Sequence, residues 1–126
     1  MTHPPMPAIR VMMMPKDTNA LGSIFGGVIL SHIDLAGAQE AAKAGLHKYV
    51  TVAMDQVVFK EPVFVGDTVS FYTSTEKIGR TSISVRVKVR AVRRMKPLDE
   101  EVDVTEALVT FVAVDDDRRP IPIKKG

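Results

Sequence analysis

The stretch that decides the fold is IFGGVILSHIDLAGAQEAAKAGL, residues 24–46. It has no proline, is rich in residues that favour helix, and places apolar side chains almost all the way around a helical wheel. The pattern predicts a helix of roughly 30 Å at 1.5 Å per residue, buried on most sides. Ser23 is placed to cap its start, and Gly45 is placed to close its end.

The segments on either side of this helix predict strands. Residues 8–14 form a short apolar run, and the turn-rich residues 15–23 separate it from the helix. Four stretches rich in β-branched or alternating apolar residues follow the helix, at residues 49–59, 68–76, 81–92 and 102–114. This order predicts an α+β fold in which a five-stranded antiparallel sheet curls around a long central helix.

The clearest alternation of apolar and polar residues runs from Thr81 to Val92. Ile83, Val85, Val87, Val89 and Ala91 face one way, and Ser82, Ser84, Arg86, Lys88 and Arg90 face the other. One face of the sheet therefore meets the core and the other meets water. A single sheet of this size does not cover a helix that is apolar on nearly every side, so we expect the uncovered flank to contact a second copy of the chain.

Composition favours one domain spanning residues 1–126. The chain is 45% hydrophobic and 25% charged, and it contains no cysteine, which excludes disulfides and cysteine-bound zinc. Its first fourteen residues lack the continuous apolar run of a signal peptide, and the uncharged stretch 18–33 is too polar to span a bilayer. We expect a cytoplasmic protein with no membrane insertion and a disordered tail at residues 124–126.

The formal net charge is only +2, but the charges are segregated. Residues 77–96 carry eight Lys and Arg and no acid, whereas residues 99–117 carry eight Asp and Glu and no base. The basic run could bind phosphate, or its residues Arg86, Lys88 and Arg90 could pair with acids of the last strand. It has no aromatic residue to stack on bases, which argues against nucleic acid as a partner.

Asp34 is the first candidate for chemistry, because it lies mid-helix among apolar neighbours. Its neighbours Gly37 and Ala38 are small and leave room beside the carboxylate. A partly buried carboxylate loses hydration, which suits a general base or a nucleophile. The alternative is an Asp34 that is exposed or bonds to Ser31 or His32.

The helix entrance is the second candidate. Gly26 and Gly27 lie at the start of the helix, where amides have no partner within the helix and no side chain obstructs them. Such amides can receive a carbonyl oxygen that gains negative charge during a reaction. The alternative is that this segment only caps the helix.

The three histidines do not predict a metal site. His3 lies in the proline-rich start, and His32 and His47 are fifteen residues apart with no metal-ligand spacing. We therefore interpret His32 as structural and expect no metal. Phosphate-loop, dinucleotide and serine-hydrolase motifs are also missing from the sequence.

One ordered set of residues carries a resemblance that joins these features. It runs through Asp17-Thr18-Asn19, Gly22, Ile24-Phe25-Gly26-Gly27, Leu30-Ser31, Ile33-Asp34, Gly37-Ala38, Thr51, Phe59, Pro62, Gly66-Asp67, Thr81-Ser82 and Thr105-Glu106-Ala107. In this order and spacing the chain, from about residue 15 to residue 123, resembles the hotdog-fold acyl-CoA thioesterases of the YciA-like and brain acyl-CoA hydrolase group.

The resemblance implies a hotdog fold, a homodimer with the active site at its interface, and commonly a trimer of such dimers. It implies hydrolysis of acyl-CoA to a free fatty acid and coenzyme A, with Asp34 as the catalytic carboxylate. Asn19 of the partner subunit would position the water or the carbonyl, and the amides near Gly26 and Gly27 would stabilise the oxyanion.

The same resemblance implies where the substrate binds. Its phosphates would meet the basic turn Gly79-Arg80-Thr81-Ser82, with Lys60 and Arg86 as helpers, and the acyl chain would contact Phe25, Ile29 and Met54. Thr51 is also expected among the substrate-binding residues. Coenzyme A enters only as part of the substrate, and no other cofactor is expected. The alternatives are hydrolysis of acyl-acyl-carrier protein, for which the basic surface would meet an acidic partner, and a non-catalytic module that binds acyl-CoA.

Overall fold

The computed structural model of the chain describes residues 6–124. Its elements are β1 (Ile9–Met12), a 3-10 turn (Pro15–Asp17), α1 (Gly26–Ala41), β2 (Lys48–Asp55), β3 (Thr68–Ile78), β4 (Ser82–Val92) and β5 (Glu101–Val114). This order confirms the predicted α+β fold with one long helix and five strands.

All five strands belong to one antiparallel sheet in the order β1-β3-β4-β5-β2. The consecutive strands β3, β4 and β5 form its centre, and the early strands β1 and β2 form its two edges. Because β2 pairs only with β5 among the described residues, its other edge is open.

The core lies between α1 and the concave face of the sheet. Ile29, Ile33 and Ala36 of the helix are fully buried and belong to the same apolar cluster as Phe71 and Phe111 of the sheet. The alternation predicted for β4 is confirmed, since Ile83, Val85, Val87, Val89 and Ala91 are all buried.

Both predicted ends of the helix were wrong. The helix is sixteen residues long rather than the twenty-three predicted, and its N-cap is Phe25, which makes no side-chain cap bond. Ser23 does not cap the helix, because its hydroxyl pairs with the side chain of Asn19 instead. Gly45 lies beyond the last helical turn, where its backbone packs against the carbonyl of Ile123 and the ring of His47.

The second strand is also shorter than predicted, because it ends at Asp55. Gln56 follows it with a φ of 61°, a left-handed conformation that leaves the extended path. The pairing of β2 with β5 also slips around Val52, which bulges out of the ladder. Residues 56–67 therefore form a long connection rather than the end of a strand.

A small residue was predicted at position 37 to leave room beside Asp34, but the structure shows that Gly37 lets the helix pack closely on the sheet. A Cβ at this position would lie 3.0 Å from two ring carbons of Phe111, so glycine lets the helix approach the sheet. Gly37 is buried in the core, so its lack of a side chain serves the packing of the helix on the sheet.

The chain is held by contacts as far as Ile123, which is buried, and Lys124 is exposed. The remaining residues of the predicted disordered tail, 125 and 126, lie outside the described residues, as does His3. Among residues 6–124, the one long helix is too short and too polar to cross a membrane.

Glu40, near the end of α1, is a buried carboxylate that sequence analysis missed. It is 8% exposed and accepts hydrogen bonds of 2.9 Å from Thr73, Thr75 and Lys43. Burial alone would raise the pKa of Glu40, but the bonds from Lys43, Thr75 and Thr73 outweigh it and hold the pKa below its ordinary value of 4.5. Glu40 therefore ties the end of the helix to β3.

The ion pair between Glu40 and Lys43 and the two threonine bonds make the stability of the fold depend on pH. Because the folded state lowers the pKa of Glu40, its stabilising effect is present above the unfolded value and is lost as the pH falls through the folded value. Glu40→Gln should lower the free energy of unfolding at neutral pH by about 1–3 kcal/mol and flatten its decline in acid. Urea unfolding across a pH series checks this against the exposed control Glu100→Gln. Equal acid slopes for Glu40→Gln and the wild type would contradict it.

Candidate active site

Asp34 lies midway along α1, on the side that faces the edge strand β2. It is half-buried, and its Oδ1 accepts a 2.5 Å hydrogen bond from the hydroxyl of Thr51. The alternative partners are excluded, because Ser31 donates to the carbonyl of Gly27 and a ring nitrogen of His32 bonds to the carbonyl of Val28.

Thr51 orients the carboxylate without neutralising it. Within residues 6–124, no Lys, Arg or His side chain forms an ion pair with Asp34. Its second oxygen, Oδ2, has no side-chain donor in that part of the chain and can accept a proton from a water or attack a carbonyl carbon. The geometry is that of an oriented carboxylate with one oxygen open to a ligand.

The helix entrance presents two free amides. Neither the Gly26 nor the Gly27 amide donates to an acceptor within residues 6–124, whereas the Phe25 amide donates to Asp17 and the Val28 amide to Phe25. A Cβ on Gly27 would lie 2.6 Å from the ring of the exposed Phe25, so a side chain here would displace that ring. The pair of amides at a positive helix end is a suitable receptor for a developing oxyanion.

A cavity of about 320 Å³ opens beside these amides. Gly26 and Ile29 line it from the helix, and Phe59 and Lys60 line it from the connection that follows β2. The structure therefore brings together three predicted substrate contacts, Gly26, Ile29 and Lys60, and adds Phe59.

The connection that carries Phe59 and Lys60 is fixed by an ion pair that sequence analysis missed. Arg93 donates to the 2%-exposed Asp67 at 2.6 Å and to the carbonyl of Pro62 at 2.8 Å, and it lies over the ring of Phe64. The Phe64 amide also donates to Asp67. The signal for the pair was weak, because Asp67 and Arg93 lie in separate turn segments of the sequence.

Asn19 organises its own loop in this chain. Its side-chain oxygen accepts from the amides of Leu21 and Ser23, and its amide nitrogen donates to the Ser23 hydroxyl. It makes no hydrogen bond to Asp34 of the same chain within the described residues. The prediction that a partner subunit supplies Asn19 stays a prediction.

The basic turn at residues 79–82 lies at the end of the sheet opposite the helix entrance, near the C-terminal end of the helix. The turn is closed by a 2.7 Å bond from the Gly79 amide to the Ser82 carbonyl, and Arg80 is exposed. The structure does not bring this turn next to Asp34 of the same chain.

Arg86 lies on the convex face of the sheet, away from the helix. Its guanidinium contacts Glu106 at 2.7 Å and Glu76 at 3.2 Å, and these partners raise its pKa further. Arg90 pairs likewise with Glu101 and Asp103. The alternative that these bases pair with acids of the last strand is confirmed for Arg86 and Arg90 but not for Lys88, which forms no ion pair within residues 6–124. Arg86 therefore has no free guanidinium for a substrate.

His32 stacks on the ring of Phe71, with ring centroids 5.5 Å apart. This contact confirms the structural interpretation of His32. His47 donates from Nε2 to the carbonyl of Ile123 at 2.7 Å.

A long central helix wrapped by one curled antiparallel sheet defines a hotdog fold. The sequence model of the thioesterase superfamily matches residues 21–97. An acyl-CoA thioester hydrolase of Zymomonas mobilis, itself uncharacterized, is 44% identical over 117 residues, which cover 93% of this chain and 77% of that protein. The acyl-CoA thioester hydrolase YciA of Salmonella typhimurium is 40% identical, with coverage of 91% and 87%.

Solved structures agree with the sequence comparisons. A hexameric hotdog fold thioesterase of Campylobacter jejuni is 48% identical with a TM-score of 0.87, covering 94% of this chain and 90% of its own. HI0827, a hexameric broad specificity acyl-coenzyme A thioesterase, is 39% identical with a TM-score of 0.88, covering 99% and 85%. This chain belongs to the thioesterase superfamily, in the group of YciA-like acyl-CoA thioester hydrolases.

The ion pair between Arg93 and Asp67 can be tested directly. Arg93→Ala leaves the buried carboxylate of Asp67 without its cation, so the free energy of unfolding should fall by about 2–4 kcal/mol. Amide hydrogen exchange should also accelerate across residues 56–67 before the core strands are affected. Lys88→Ala, which removes an exposed cation from the convex face, is the control. Unchanged exchange in residues 56–67 would show that Arg93 does not hold this connection.

Proposed function

We propose that the protein hydrolyses the thioester of acyl-CoA to a free fatty acid and coenzyme A. The observation that carries the proposal is the half-buried carboxylate of Asp34, which is oriented by Thr51 and has no ion-pair partner within residues 6–124. Membership of a family whose relatives are named acyl-CoA thioester hydrolases supports the substrate class.

Asp34 assists the attack on the thioester carbonyl. As a general base, it takes a proton from a water whose oxygen bonds to the carbonyl carbon. The carbon–sulfur bond then breaks, and the thiolate of coenzyme A leaves and recovers the proton. As a nucleophile, Asp34 attacks the carbonyl carbon, the carbon–sulfur bond breaks, and coenzyme A leaves as a thiolate. Water then hydrolyses the acyl anhydride to the fatty acid and the free carboxylate of Asp34, and the thiolate takes up a proton from that water. Both routes need the carboxylate oriented and unpaired.

The amides of Gly26 and Gly27 receive the negative charge that develops on the carbonyl oxygen. They are fixed by the helix and need no reorganisation when the charge appears. The cavity beside them, lined by Ile29 and Phe59, takes apolar atoms next to the reacting carbon. Phe25, which is exposed at the same entrance, extends this apolar surface.

A second copy of the chain completes the site. Leu35 of the helix is 57% exposed and Val52 of the edge strand β2 is 55% exposed, close to the open side of Asp34. Pairing of two β2 edges covers this apolar surface and brings Asn19 of the partner subunit towards the carboxylate. The hexameric assembly of the related thioesterases supports a trimer of such dimers.

The phosphates of coenzyme A meet the basic turn of residues 79–82. Arg80 supplies the charge, and the hydroxyls of Thr81 and Ser82 supply donors. Lys60 contributes a charge at the cavity itself. We place the protein in the cytoplasm because coenzyme A esters are intracellular metabolites, and we expect no cofactor beyond the substrate itself.

Replacing the carboxylate tests the reaction and its residue together. Asp34→Asn keeps the shape of the side chain but loses the base, so kcat should fall by about 10²–10⁴-fold with folding unchanged. The measurement is release of free thiol from acyl-CoA esters of increasing chain length. If the wild type binds these esters without releasing thiol, the protein is a binding module. If it hydrolyses acyl-acyl-carrier protein and no acyl-CoA ester, the protein is an acyl-acyl-carrier-protein thioesterase.

The hydroxyl of Thr51 gives a second test, which separates orientation from charge. Thr51→Val keeps the volume but removes the donor to Asp34, so kcat should fall by about tenfold or more while KM changes little. Thr51→Ser keeps the hydroxyl and should retain most of the activity. Equal activity of the valine and serine variants would show that this hydrogen bond does not position the carboxylate.

A further inference from the structure

An open groove lies on the convex face of the sheet, where β1 and β4 end and β3 begins. Its floor is one row of residues across three strands, because Met12 pairs with Thr68 and Thr68 pairs with Val92. Val92 is two residues beyond Arg90 on the same strand, so both face the convex side. Two interstrand spacings of about 4.8 Å make this floor about 10 Å long.

Methionine side chains dominate the lining of this groove. Met12 and Met14 lie on either side of the buried Met13 in an extended segment, so both are exposed on the same side of the chain. Met95 faces them from the connection between β4 and β5. The remaining apolar lining residues are Pro15, Val65, Val92 and Leu98. We name this opening, of about 440 Å³, the methionine groove. Its volume is that of a small-molecule site, and methionine adapts to ligands of irregular shape.

Backbone bonds join the two sides of the methionine groove. The Gly66 amide donates to the Met13 carbonyl, and the Met13 amide donates to the Asp67 carbonyl, both at 2.9 Å. Gly66 has a φ of 89°, and a Cβ on it would lie 2.9 Å from Cδ of Arg94. The apolar stem of Arg94 therefore packs against the Gly66 backbone, which leaves its guanidinium at the rim of the groove.

Two cations line the methionine groove without an acidic partner. Within residues 6–124, neither Arg94 nor Lys96 forms an ion pair, whereas Arg93 is already paired. Asp99 and Glu100 follow in the same connection but do not line the groove. An apolar groove with unpaired cations at its rim complements a ligand that has an apolar body and one anionic end.

Met95 carries a backbone strain that supports a binding role for the groove. Its φ is 66°, a left-handed conformation that residues with long side chains rarely adopt, and its apolar side chain is 92% exposed. The turn that holds it is closed by a bond of 3.1 Å from the Lys96 amide to the Arg93 carbonyl. Strained residues of this kind collect at ligand contacts, where the surrounding structure compensates for them.

We propose that the methionine groove binds the anion of a medium-chain fatty acid. Arg94 and Lys96 contact the carboxylate, and the alkyl chain lies along the floor against Met12. An extended chain advances about 1.2 Å per bond, so roughly eight bonds span the floor. Octanoate and decanoate have this length. The inference goes beyond the proposed function, because it places a fatty acid at a second site on the convex face, away from Asp34.

The first test titrates the assembled protein, isotope-labelled in its methionine methyl groups, with decanoate and records methyl NMR spectra. The signals of Met12, Met14 and Met95 should shift with one common dissociation constant, because all three side chains line the groove. Met6, which is exposed but lies outside the groove, is the control and should not shift. Groove signals that ignore decanoate would overturn the proposal. Groove signals that change only on dilution of the protein would do the same, since a second copy would then cover the groove.

The carboxylate contact is tested through Arg94. In Arg94→Ala, the dissociation constant read from the groove signals should rise about tenfold, because a charge-assisted contact is lost. Arg118→Ala is the matched control, because it removes an exposed arginine, also without an ion pair in the described residues, at the opposite end of the sheet. Decanol, which has the same chain without the charge, should bind the wild type about tenfold more weakly. Equal constants for Arg94→Ala and the wild type would refute the contact.

Chain length tests the apolar floor. Each CH₂ added between butanoate and decanoate should tighten binding about two- to fourfold, and the gain should stop once the chain is longer than the floor. An affinity that does not change with chain length would show that the floor contributes nothing, which contradicts the proposal. Fatty acids contain no thioester, so these measurements decide the inference even if the protein hydrolyses no acyl-CoA.

Discussion

The rest of the structure depends on the contact between the backbone of Gly37 and the ring of Phe111. Because no Cβ intervenes, α1 lies close against the sheet at this point. Phe111 is also the residue of β5 that pairs with Thr51 of β2. The ring of Phe111 thus fixes the distance between the helix and the sheet. The same residue is the β5 neighbour of Thr51, whose hydroxyl bonds to Asp34. Asp34, one turn before Gly37, meets Thr51 at hydrogen-bond distance as a result.

The two ends of the helix are held by different chemistry, and each end has a separate task. At the start, Arg93 and Asp67 fix the connection that lines the cavity, while the Gly26 and Gly27 amides find no acceptor in the described part of the chain. At the other end, Glu40 is bonded to two threonines of β3, and the segment beyond Pro120 is pinned to Arg80 and His47. The rigid parts therefore surround polar groups that are left without partners, which is the state that ligand binding requires.

Local pattern was sufficient for much of this arrangement. The strict alternation of β4 predicted its buried face residue by residue, and the isolated acid at position 34 predicted the candidate site. Pattern failed where a contact joins distant segments. Glu40 looked like an ordinary surface acid, because nothing near it in sequence indicates the hydroxyls of Thr73 and Thr75. Gly37 was interpreted as room for a ligand, since a single sequence does not reveal that an aromatic ring comes from seventy-four residues later. Asn19 and Thr51 came from family resemblance rather than from their own surroundings.

The two edges of the sheet differ, and the difference controls how copies of the chain can associate. The β1 edge is only four residues long, and beyond it the outer side of β3 carries the charges of Glu76 and Lys77. The β2 edge is eight residues long and is flanked by exposed apolar side chains. A sheet in which both edge strands could pair with another copy could add copies without end and grow into a fibre. With only one edge suited to pairing, growth of the sheet stops after two copies have joined, and any larger assembly must use surfaces other than the strand edges.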